Sequence, residues 1–137
     1  MKKIKTTIVM LLTIAMLLMP MQAFAAESVS SIRAYNARCY SKNFFQSAGI
    51  EIIELANNRI EAIIWESQAM AACTNNPDAL NGIAISMQIR TSAVSCAAQV
   101  AAALCGVMST CDWVDVTLGC GDNAITVPVD PLRVVLV

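Results

Sequence analysis

The triplet Asn75-Asn76-Pro77 separates two helix-period stretches, and this break constrains the fold more than any other feature. From about Ile50 to Cys73, Ile52, Ile53, Ala56, Ile60, Ile63, Ile64, Met70 and Ala71 fall on one arc of a helical wheel. Glu51, Glu54, Asn58, Glu61 and Gln68 fall opposite them. Proline disfavours helical geometry in the residue before it, so the first helix ends ahead of Pro77. Asn76 can then cap a second helix with Pro77 in its first turn.

The second helix is expected over 77–105, with Gly106 as its stop and a length of about 40 Å. Asn81-Gly82 would loosen its first turn and move the regular start to Ile83. Its wheel has two apolar sides. Leu80, Ile83, Met87, Val94, Ala98, Ala101 and Cys105 form one, and Ile85, Ile89, Cys96, Val100 and Ala103 the other. Only a strip of Asn81, Gln88, Ser92, Ser95 and Gln99 is polar. A helix apolar on two sides is expected to be covered on two sides. The first helix would take one face and the terminal segments the other.

Residues 26–47 are mixed, with Val29, Ile32, Tyr35, Cys39 and Tyr40 loosely at helical spacing and Phe44-Phe45 as a closing apolar anchor. Beyond Gly106 the composition turns to strand type. Trp113–Leu118 and Ala124–Val129 flank Gly119-Cys120-Gly121-Asp122-Asn123, a hairpin signal with a five-residue turn. Pro128 and Pro131 confine the second strand to an edge. The apolar run Leu132–Val137 follows. The expected fold is mainly α: a long antiparallel helical hairpin (about 50–73 and 77–105) with a small C-terminal β-hairpin, stapled by disulfides. An α+β arrangement is the alternative.

The chain opens with Lys2, Lys3 and Lys5, an uncharged apolar run from Ile8 to Met19, Pro20 and the triplet Ala23-Phe24-Ala25. That layout is expected of an export signal over 1–25, cut between Ala25 and Ala26. The apolar run is too short to span a hydrocarbon core of about 30 Å comfortably. The expected mature chain is one small domain: segment 26–47, helical hairpin 48–106 and β-type tail 107–137. It would hold six basic and ten acidic residues, a net charge of −4. No polybasic surface results, which argues against nucleic acid and anionic lipid as partners. The membrane is expected to matter for export alone, although the uncharged stretch Thr91–Cys111 raises insertion as an alternative.

Cys39, Cys73, Cys96, Cys105, Cys111 and Cys120 give an even count. In an oxidising compartment such a set reads as disulfide material, and six cysteines allow fifteen pairings. Cys96 and Cys105 would lie about 13 Å apart along one helix, beyond disulfide reach of each other. Local bridges among Cys105, Cys111 and Cys120, or Cys39 with Cys96, are the geometrically easier choices. Neither Cys-x-x-Cys nor close-spaced zinc ligands occur.

The chain contains no histidine, so the commonest general base and neutral metal ligand are missing. Glu51, Glu54 and Glu61 could do acid–base work, but a glutamate row on an amphipathic helix reads first as a solvated face. Asp112, Asp115 and Asp122 with Asn123 do not match a calcium loop and read as turn chemistry. No cofactor is expected. Trp65 sits on the glutamate side of the wheel, where it would be a binding anchor unless other segments fold over it. The sequence therefore points to an exported, disulfide-bonded protein that binds or builds rather than catalyses, with a protein or small molecule as partner. Homo-oligomerisation through Leu132–Val137 and toxin-like membrane insertion are the alternatives.

Overall fold

The structure, a computed structural model, describes residues 29–39 and 43–136. The expected cleavage point Ala25-Ala26, together with Tyr40 and Lys42, lies outside the described residues. Residues 29–36 are helical (α1) and bury Val29, Ile32 and Asn36 at successive turns.

Helix α2 spans Phe44–Ala71 and starts six residues before the expected position. Asn43 decides this start, because its side chain accepts from the N–H groups of Phe45 and Gln46. Phe44 and Phe45 are therefore the exposed first turn rather than a buried anchor, packed edge to face at 5.8 Å between ring centroids. Helix α3 spans Pro77–Leu104, with the Asn76 side chain accepting from Asp78 N–H and Gly106 in the left-handed region at φ 81°. Asn81-Gly82 do not delay it.

Arg90 bonds Glu66 near the middle of the hairpin, and Gly49 meets the Cys105–Val107 turn at its open end. The two helices are thus antiparallel. A Cβ on Gly49 would lie 2.7 Å from Val107 Cγ2, so a glycine lets the chain reverse tightly against α2.

Four strands follow: β1 (Met108–Cys111), β2 (Val114–Leu118), β3 (Ile125–Val129) and β4 (Leu132–Leu136). The expected hairpin is β2–β3, antiparallel with Val114 opposite Val129 and Leu118 opposite Ile125. Gly119 and Gly121 take positive φ in its turn. Strands β1 and β4 form a second antiparallel sheet around it, Cys111 opposite Leu132. The nested ribbon bends where Asp112 N–H donates to Pro131 C=O at 2.9 Å.

The chain is thus mostly helical with a small two-sheet β-type C-terminus. One core cluster joins α1, α2 and the first half of α3 to β2–β3, and a second joins α2, the later turns of α3 and β4. No disulfide joins any two of the six cysteines in this structure, so the expected stapling is no part of this packing. Burial and side-chain hydrogen bonds hold the layers together instead.

Candidate functional site

Strand β1 and the β3–β4 connection dock on the polar strip of α3. Ser95 Oγ donates to Asp130 C=O, Gln99 Nε2 donates to Ser109 C=O at 2.9 Å, and Ser92 Oγ donates to the Asp130 carboxylate at 3.5 Å. Short polar side chains pair with the backbone at the strand ends, which would otherwise lose water without compensation.

This docking leaves the reverse apolar face of α3 open, against the expectation that both would be covered. Ile85, Ile89, Ala93, Cys96, Val100 and Leu104 are all exposed, Ile89 at 64% and Leu104 at 85%. They share an arc of about 100° on the wheel. No charged residue falls on that arc between 85 and 104, a run of about 28 Å at the helical rise. Beside the N-terminal half of α3 lies an apolar cavity of about 590 Å³, lined by Ala69, Met70, Cys73, Ala79 and Ile83, with Glu66 and Thr74 at its rim.

The glutamates do not form a uniform solvated face. Arg33 of α1 donates to Glu54 Oε1 from Nε (3.1 Å) and Nη2 (2.9 Å), and to Glu61 Oε2 from Nη1. These ion pairs clamp α1 onto α2. Glu51 is exposed. Glu66 lies in reach of Arg90, whose hydrogen bond and charge hold its carboxyl below the usual range.

The aspartates do not converge. Asp112 pairs with Arg133 at 2.7 Å, while Asp115 and Asp122 are exposed elsewhere. Among the described residues no group of three His, Cys, Asp or Glu side chains could hold a metal ion. Asp130 is buried, and its carboxyl is pushed up by desolvation, partly offset by bonds from its own N–H and from Ser92.

Trp65 is half-buried. The bare indole is Trp113, 69% exposed beside a polar cleft with Ser31, Asp112 and Arg133, where the Arg133 guanidinium also sits 5.2 Å over the Tyr35 ring. Its place at the bend between β1 and β2 becomes visible only once the strand ends are known.

The cysteines are dispersed. Cys39 lines a cleft with Ser47, Ile50 and Glu54, Cys73 is exposed beyond α2, and Cys120 is exposed in the β2–β3 turn. Cys105 ends α3 against Gly49. Cys39 therefore belongs to the α1–α2 cleft rather than to the neighbourhood of Cys96 on outer α3. Cys111 is half-buried on β1, within electrostatic reach of Cys96. Among the described residues no helix is long and apolar enough to cross a membrane. Comparison with protein-family models, with characterised proteins and with solved structures finds no match.

Proposed function

We propose that this is an exported, disulfide-bonded protein that works by binding rather than by catalysis, with the outer face of α3 as its contact surface. The observation that carries this reading is the uncharged arc from Ile85 to Leu104, left open while the opposite side of α3 is buried. A continuous apolar face on a small domain is a recognised mark of an interaction site. Large side chains (Ile85, Ile89, Val100, Leu104) alternate there with small ones (Ala93, Cys96, Ala97, Ala103), a relief suited to an apolar helix of a protein partner.

Export is supported by the basic start, apolar run and small-x-small triplet of residues 1–25, and by the even cysteine count. The helix face is favoured over the C-terminal strand because Leu132 and Val134 are buried and their backbone groups are already bonded to Asn36 and Asn57. It is favoured over membrane insertion because α3 is not long and apolar enough to span.

The test is the double substitution Ile89→Glu with Val100→Glu, which changes two exposed side chains and should leave the thermal melt nearly unchanged. Wild-type protein should bind an apolar fluorescent probe, and helix-face peptides from proteins of its compartment should displace that probe. The variant should lose most of both effects. Equal, negligible probe binding by the two proteins would remove the reading.

A further inference from the structure

We infer that Cys96 and Cys111 form a disulfide that ties the outer face of α3 to strand β1. The inference rests on the export reading for its oxidising surroundings and on the fold for its geometry. The chain reverses at Gly106, with Val107 N–H donating to Ala102 C=O at 2.9 Å, so β1 runs back along α3. Gln99 and Ser109 form a fixed rung between the two elements, 2.9 Å from donor to acceptor.

From that rung Cys96 lies three helical residues back, about 4.5 Å along the axis. Cys111 lies two strand residues on, about 6.7 Å in the same direction and on the same side of β1 as Ser109. The axial offset between the cysteines is therefore only about 2 Å. A second rung brackets them: Ser95 donates to Asp130 C=O, and Asp112 N–H donates to Pro131 C=O. Each cysteine is the immediate neighbour of a residue in that rung. Burial first, and then the charges of Asp130, Cys96 and Asp112, push the Cys111 thiol up.

The two thiols differ in access, and this sets the order of events. Cys96 is exposed and Cys111 is half-buried. The Cys96 thiolate attacks an external disulfide oxidant, forming a mixed disulfide and releasing one oxidant thiolate. Cys111, losing its proton to solvent, then attacks Cys96 Sγ and expels the second oxidant thiolate. Two protein thiols become one cystine, and the oxidant gains the two electrons and becomes a dithiol. The bridge closes a ring of sixteen residues, for which chain-entropy arguments expect a gain in stability.

Cleavage after Leu104, Met108, Trp113 and Leu118 with chymotrypsin places Cys96, Cys105, Cys111 and Cys120 on separate peptides. Alkylated, non-reduced digests would be compared for protein recovered from the exporting cell and for reduced protein refolded with glutathione disulfide. A Cys96–Cys111 linked peptide in both samples is expected. Oxidised protein with Cys96 joined elsewhere, or left free while other cysteines pair, would overturn the pairing and leave the export reading intact. Formation of the bridge in the refolded sample, with six alkylatable thiols in the cellular one, would instead overturn export.

Discussion

Asn57 sits in the middle of an isoleucine-rich helix face, and its amide takes the place of a neighbouring strand. Its Nδ2 donates to Leu132 C=O at 2.8 Å while its Oδ1 accepts from Leu132 N–H at 2.9 Å. Asn36 serves the same carbonyl and accepts from Val134 N–H, so two side chains from two helices close the outer edge of β4. Asn57→Ala leaves the Leu132 N–H buried without a partner and should cost about 2–3 kcal/mol in urea unfolding. The adjacent exposed Asn58→Ala should change stability by no more than about 0.5 kcal/mol. Asp130 has the opposite character. Because burial raises its folded-state pKa, the fold binds more protons than the unfolded chain just above the ordinary aspartate range. The Asp130 contribution therefore declines as pH rises through that window and stays low at neutral pH. Asp130→Asn should raise stability at pH 7 and have progressively less effect toward pH 3, as read from denaturant midpoints across that range.

At the scale of elements, the termini with local chemistry were legible and those without it were not. The start of α3 follows from Asn76 and Pro77, its end from Gly106, and the β2–β3 hairpin from the glycines between its strands. The start of α2 was less visible because Gly49 interrupts the pattern, and its reason is a contact with Val107, more than fifty residues away. Strands β1 and β4 pair over a separation that no local periodicity reports. The largest departure concerns the faces of α3. Apolar positions suggested where neighbours would pack, but the sheets hydrogen-bond to the serine and glutamine strip and leave Ile85 and Ile89 outside. A short strand with unpaired carbonyls gains more from donors than from methyl groups at its ends. The candidate contact face was thus present in the wheel but read as core.

Across the whole molecule, the nested ribbon is the lid of the helical hairpin, and its last strand belongs to the core. Leu132 and Val134 are essentially inaccessible, so removing residues 132–137 should abolish cooperative thermal unfolding rather than release a folded monomer. A truncated chain that melts like the full one and merely changes oligomeric state would restore strand-mediated assembly. What the sequence by itself determined is local: where the first long helix ends, where the second starts and stops, and that a glycine-rich turn joins two strands, because capping and periodicity act within a few residues. Only the tertiary structure decided which side of α3 is covered, which asparagines replace a strand, and which cysteines come near each other. Those outcomes depend on buried hydrogen-bonding groups brought together from distant parts of the chain, and no spacing along it records where they meet.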